Sequence, residues 1–195
     1  MKFLKSRGDV RQLTVYKVAT QISVITEFFV GKYIPSSSRT TDQMQQAARS
    51  CKQNIVEGSE ASTTSKETEI KLTNVARASL GELYDDYLDF LNFRGLPVWS
   101  ECGNPRLARL KGYTSSKNFQ QGYRELLPRL SIEEICNLAL TLIKQAQYML
   151  DGMLRRQQEQ FLQDGGIREQ MTRARLDYRR NQSNQSNQSN QKESE

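Results

Sequence analysis

The sequence predicts an all-α protein: an antiparallel up-down four-helix bundle with a long insertion between helices three and four and a disordered C-terminal tail. Three observations predict it. Four segments repeat apolar residues at steps of three and four, the period of one helix face. Glycines or prolines at Gly31 and Pro35, at Gly58, and at Gly95 and Pro97 close the first three. Ser/Thr-x-x-Glu spacings, which cap helix N-termini reciprocally, open the third and fourth.

The first helix is expected over about 11–32. Val15, Val18, Ile22, Ile25 and Phe29 share a face, and Leu13, Tyr16, Ala19 and Phe28 widen it. The second, over 40–57, has a narrow stripe of Met44, Ala48, Cys51 and Ile55. Ala47 and Ala48 suit a close neighbour, and Gly58 stands where a helix C-cap glycine would. The third, over 65–94, opens with a capping box of Thr64 and Glu67, with Ser65 as a second candidate cap. Leu72, Ala76, Leu80, Leu83, Tyr87 and Leu91 then recur, giving a helix of about 45 Å at 1.5 Å per residue. The fourth, over 131–162, opens with Ser131 and Glu134. It carries two apolar stripes, one from Ile135 to Met153 and one from Cys136 to Leu154. A helix apolar over so much of its girth needs more than one neighbour, and a subunit contact is one way to supply it.

These four helices define a bundle domain over 1–160. Its insertion, 96–130, far exceeds the two to eight residues common between bundle helices. It holds Trp99, Tyr113, Phe119 and Tyr123, aromatics that argue for partial packing. Six basic residues against Glu101 and Glu125 give it a charge of +4. Asp164-Gly165-Gly166 interrupts the chain before a short helical extension within 161–180. Three Asn-Gln-Ser repeats begin at Asn181, so 181–195 is expected to be disordered.

Composition narrows the chemistry. Hydrophobic residues are 36% of the chain, below the roughly 45–50% of compact domains, so part lies outside a core. Histidine is absent, which removes the commonest general base and metal ligand. Cys51, Cys102 and Cys136 are odd in number and widely spaced, indicating neither a disulfide framework nor zinc. No cofactor or metal is expected. No apolar run is long enough for a membrane span, and Met1–Arg11 lacks a signal peptide's apolar centre. The expected location is cytoplasmic, without a membrane partner.

Two constellations carry chemistry. Glu82, Asp85, Asp86 and Asp89 cluster on helix three; such carboxylates serve acid–base or metal chemistry, or form a solvated face. No nucleophile–base pair or Gly-rich phosphate loop accompanies them, so the chain is not expected to be an enzyme. The net charge of +6 and a pI near 9.3 suit an acidic partner such as nucleic acid. The candidate phosphate-binding residues are Arg49 and Lys52 on helix two, Lys66, Lys71 and Arg77 on helix three, and Arg155 and Arg156 on helix four.

The run Gln43 to Gly58 resembles the signature of the bacterial four-helix bundle family, with Asn54-Ile55-Val56-Glu57-Gly58 at its centre. The resemblance continues through Ser65-Lys66-Glu67 and Ala76 to Leu83, including Glu82, and the opening Leu13-Thr14-Val15-Tyr16 also matches. It covers residues 10–96 well and helix four loosely. The family includes proteins encoded in intervening sequences of bacterial large-subunit ribosomal RNA genes and the accessory variability determinant of diversity-generating retroelements. The chain is most similar to a subgroup whose four-helix domain carries a suffix region.

The resemblance implies a four-helix protomer that assembles with itself, often as a pentamer. For the retroelement branch it also implies binding to nucleic acid and to a reverse transcriptase. The expected function is a non-catalytic oligomeric accessory protein binding RNA or DNA through a basic surface. The alternative is a protein–protein interaction scaffold with no nucleic-acid role. The signature itself reads as structure: Asn54 bonding across a helix interface, Glu57 reaching a neighbouring helix's cations, Gly58 permitting the turn into helix three.

Overall fold

The computed structural model describes residues 8–99 and 104–192, with side chains described as far as Ser183. Cys102 and Glu101 lie outside the described residues. The chain is all-helical, with no strand among the described residues. A 3-10 turn, Val10–Gln12, precedes α1 (Thr14–Tyr33), α2 (Arg39–Ala61) and α3 (Lys66–Phe93). Two short helices follow, α4 (Pro105–Thr114) and α5 (Lys117–Leu126), and a second 3-10 turn. The long α6 (Ile132–Asp164) and α7 (Ile167–Lys192) complete the chain.

Side-chain chemistry sets the ends. Ser65, rather than Thr64, caps α3, its hydroxyl accepting from the Thr68 N–H at 3.2 Å. Gly95, at φ 62°, closes the same helix. The Leu96 N–H bonds back to the Leu91 carbonyl at 2.9 Å, the six-to-one bond of a glycine-terminated helix. Ser131 and Glu134 form the expected capping box on α6.

α1 and α3 each pack against both α2 and α6. The α2–α3 pair is antiparallel, since Ser50 meets Ser79 while Gly58 meets Leu72 and Thr73. So is the α3–α6 pair, in which Arg77 meets Asp151 and Thr73 meets Gln157. Across the core the Tyr87 hydroxyl lies 3.1 Å from Thr26 Oγ1, and the Tyr87 ring packs 4.9 Å from Phe29. Ile25, Phe29, Leu80, Leu83, Tyr87, Ile135 and Leu142 are fully buried there.

Three regions differ in detail from their expectations. Between α3 and α6, in the segment expected to pack in part, α4 and α5 form a packed helical pair. Asn104 caps α4 with Pro105 behind it, and Ser116 caps α5. α4 packs on α6, and α5 reaches α1. Phe119, Tyr123 and Leu127 join the core, and Trp99 is buried with its N–H groups bonded to Asn137 and Glu133. Part of α6's second stripe is therefore covered within the chain. Residues 135–143 are buried without interruption, and that girth no longer argues for a subunit contact.

The second correction concerns Gly58. α2 runs on to Ala61, so Gly58 lies inside the helix rather than at its cap. A Cβ there would stand 3.4 Å from Leu72 Cβ and 3.6 Å from the Glu69 carbonyl. The glycine serves the close approach of α2 to α3.

The third concerns the tail, where α7 continues to Lys192 through most of the stretch expected to be disordered. No glycine or proline interrupts it after Ile167, and the Gln182–Tyr178 and Ser183–Arg179 bonds continue the i,i+4 pattern past Arg180. Residues 193–195 lie outside the described residues.

Candidate nucleic-acid interface

The antiparallel α3–α6 pairing sorts the predicted cations. Lys71 and Arg77 of α3 and Arg155 of α6 line one groove of ≈ 650 Å³, together with Glu67, Asn74 and Asp151. Arg77 donates to Asp151 Oδ1 and to Asn74 Oδ1, each at 2.9 Å, which fixes its guanidinium at the groove wall while leaving it 46% exposed. Exposed pairs of this kind contribute little stability, so the arginine's charge is held in place rather than buried. Lys71 and Arg155 are exposed beside it.

The other candidates separate. Lys66 bonds Glu69 Oε2 at 2.7 Å and is only 18% exposed. Glu69 in turn accepts from Gln157 Nε2, which also reaches Thr73 Oγ1. Lys66 therefore belongs to a structural network joining α3 to α6 and is not a free cation. Arg156 lies one groove over, between α1 and α6, its Nε bonded to the Gly152 carbonyl. Arg49 stands in a polar stripe of α2 with Asp42 and Glu57, where acids outnumber it. Lys52, on the same helix, is half-buried. Arg49 and Lys52 are thus not joined to the groove.

The signature residues make contacts other than those expected. Asn54 donates to the Ser50 carbonyl at 2.8 Å and to Ser50 Oγ at 3.1 Å, within its own helix. Ser50 Oγ then pairs with Ser79 Oγ of α3 at 3.0 Å. Glu57 accepts from Gln53 one turn before it and makes no ion pair with a neighbouring helix among the described residues. Glu82 is exposed on α3.

The carboxylate cluster sits on the outer side of α3, with Asp86 half-buried between exposed neighbours. Partial burial pushes the Asp86 carboxyl above its ordinary range, and Asp89, Glu82 and Asp85 push the same way. No group of three or more potential metal ligands occurs among the described residues. Burial holds the Cys51 and Cys136 thiols up at about 12, so both are protonated and unreactive.

Two features escape single-helix reading. The first is α7. Arg168, Arg175 and Arg179 recur at i, i+7 and i+11 along one flank, beside Ile167, Met171, Ala174 and Tyr178. Between Ile167 and Arg180, five arginines face Glu169 and Asp177 alone. Gly166, just before it, lies at the groove's end: a Cβ there would be 3.8 Å from Glu67 Oε1. That arginine spacing is present in the sequence, but the Asn-Gln-Ser repeats beyond it mask it. The second is a cavity under α4, which required knowing that α4 lies on α6.

No helix among the described residues is long and apolar enough to cross a membrane. No protein-family model, curated protein or solved structure matches the chain.

Proposed function

We propose that this chain is a non-catalytic, oligomeric accessory protein of the cytoplasm that binds RNA or DNA along the α3–α6 groove and the arginine flank of α7. The observation that carries this reading is the gathering of Lys71, Arg77 and Arg155 in one groove at whose end α7 begins. Phosphates attract such a surface whatever their sequence, through counterion release. The resemblance of residues 10–96 to the bacterial four-helix bundle family supports the rest. On it rest an antiparallel up-down four-helix protomer of α1, α2, α3 and α6 with 96–130 as its insertion, a pentameric assembly, and a reverse transcriptase as protein partner.

Binding to a structured RNA and to duplex DNA, titrated from about 50 mM salt upward, tests the reading. Affinity should fall steeply with salt. The triple variant Lys71→Ala, Arg77→Ala, Arg155→Ala should flatten the log–log slope by about two to three, near 0.9 for each phosphate no longer neutralised. Absence of binding at low salt, or binding indifferent to salt, refutes it. A monomer by light scattering at micromolar concentration removes the pentameric assembly.

A second reading, a protein-interaction scaffold without a nucleic-acid role, draws on the exposed apolar side chains Leu162, Met171, Leu176 and Tyr178. It predicts a stoichiometric protein complex that persists after nuclease treatment, and no salt-dependent nucleic-acid binding.

A further inference from the structure

A cavity of ≈ 420 Å³ opens between α3, α4 and α6. Leu107 and Leu140 line its apolar part, Tyr84 and Tyr148 contribute rings, and Lys111 and Lys144 contribute ammonium groups. No carboxylate lines it, and the ion pairs among the described residues, Lys66–Glu69, Arg77–Asp151 and Arg106–Glu133, use neither lysine. The three residues assigned to the α3–α6 groove, Lys71, Arg77 and Arg155, take no part in it.

Lys111 and Lys144 are both exposed at the rim of this recess, and neither has a carboxylate partner in it. Lys144 Nζ rests 4.1 Å from the centroid of the Tyr84 ring, a cation–π contact. That contact holds the charge at the cavity. Tyr148, one turn further along α6, leaves 75% of its surface to solvent beside an apolar wall. The polar side chains of the wall are already bonded: Asn137 donates to the Pro97 and Glu133 carbonyls, Thr141 to the Asn137 carbonyl, and Gln145 to Thr114 Oγ1. The volume lies within the roughly 300–1,000 Å³ range of small-ligand sites, which are mostly apolar with a few convergent polar groups.

We propose that this cavity binds a nucleoside 5′-phosphate, with the phosphate held by Lys111 and Lys144 and the base stacked on Tyr148 over Leu107 and Leu140. Two lysines lining one recess suit a phosphate dianion, and an exposed ring stacks any base because every base has a π-face. A carboxylate, with one charge, uses the pair less fully. A free nucleotide and the phosphorylated end of a strand share this chemistry. The site draws on residues separate from those of the nucleic-acid reading and stands or falls apart from it.

Equilibrium dialysis of the full chain against adenosine 5′-monophosphate, adenosine and ribose 5-phosphate tests the assignment. The monophosphate should bind most tightly, and both fragments should bind more weakly. Lys111→Ala with Lys144→Ala should weaken it at least about tenfold, as loss of charge-assisted bonds requires. The single exposed change Lys144→Glu should do the same if the double variant misfolds. Tyr148→Ala should weaken the monophosphate but not ribose 5-phosphate, and Arg77→Ala with Arg155→Ala should leave both unchanged. A parallel arm compares 5′-phosphorylated with 5′-hydroxyl single-stranded decamers. A preference for the phosphorylated decamer, lost in Lys144→Glu, marks a strand end as the source; its absence, with monophosphate binding intact, marks the free nucleotide. Binding of neither probe overturns the proposal, and so does monophosphate binding that the lysine variants leave unchanged. Monophosphate binding without salt-dependent nucleic-acid binding would instead retire the groove and keep the cavity.

Discussion

The 43–58 segment of α2 and the 96–130 segment divide recognisability from novelty. The first carries the pattern that resembles a known family, yet two of its polar side chains, Gln45 and Ser50, bond neighbouring helices. Asn54 works through Ser50 and Ser79, and Gly58 lets α2 approach α3. The second shows no comparable pattern, yet it brings Leu107 and Lys111 to a cavity with Lys144 and Tyr148. A recognisable pattern in a helical protein can thus record how helices touch, while a cavity forms only where a further segment is laid over them.

The largest effect that tests this division is expected at Phe119. Its ring is fully buried and packs edge-on to Tyr113 at 5.4 Å and against Tyr123 at 5.7 Å. If 96–130 is an integral part of the core, Phe119→Ala should destabilise the whole chain in denaturant by about 3–5 kcal/mol, in one transition. A loss below about 1 kcal/mol, or a separate early transition, would make the segment an appendage and would loosen the wall of the cavity.

Gly58 gives the next effect and tests the other half. The nearest atom to an added Cβ is Leu72 Cβ at 3.4 Å, an ordinary contact. Gly58→Ala should therefore change stability by less than about 1 kcal/mol, because reduced clearance is offset by the better helix propensity of alanine. Gly58→Val places two further carbons against Leu72 and Thr73 and should cost about 1–3 kcal/mol. Equal tolerance of both by chemical denaturation would show that α2 and α3 are not closely apposed there, and the signature would need another explanation.

Much of the fold was legible because its signals are local. The Ser131–Glu134 box, Gly95 and the α1 and α3 stripes each lie within a turn or two of the feature they specify. α5 was also within reach: Phe119, Tyr123, Leu126 and Leu127 keep helical spacing behind Ser116, but ten residues make a weak periodic signal. The candidate site was legible in part. Choosing Lys71, Arg77 and Arg155 needed only charge and face, whereas bringing them together needed the antiparallel register of α3 and α6. Lys66 is held by Glu69, a partner visible three residues on in the sequence. Lys111 and Lys144 stand thirty-three positions apart, and nothing local joins them before α4 is laid on α6.

The smallest effect concerns Glu82, which belongs to the recognisable pattern but is exposed and helps to hold the Asp86 carboxyl above its ordinary value of 3.8. Partial burial is the main cause; Asp89, Glu82 and Asp85 add repulsion. Because the folded state keeps this proton to a higher pH than the unfolded chain does, it binds more protons across that window. Stability therefore falls as pH rises through the carboxylate range and then levels off. Asp86→Asn removes the charge and its repulsion, so at pH 7 it should stabilise the chain by about 0.5 kcal/mol, the scale of like-charge helix pairs. The gain should shrink on acidification through the raised range of Asp86 and be gone where the parent carboxyl is protonated in both states. Denaturation midpoints of parent and variant from pH 3 to pH 7 measure this directly. A gain independent of pH would mean that it does not come from the carboxylate's charge, and a loss at pH 7 would mean that the Asp86 carboxylate has a stabilising partner that outweighs Asp89, Glu82 and Asp85.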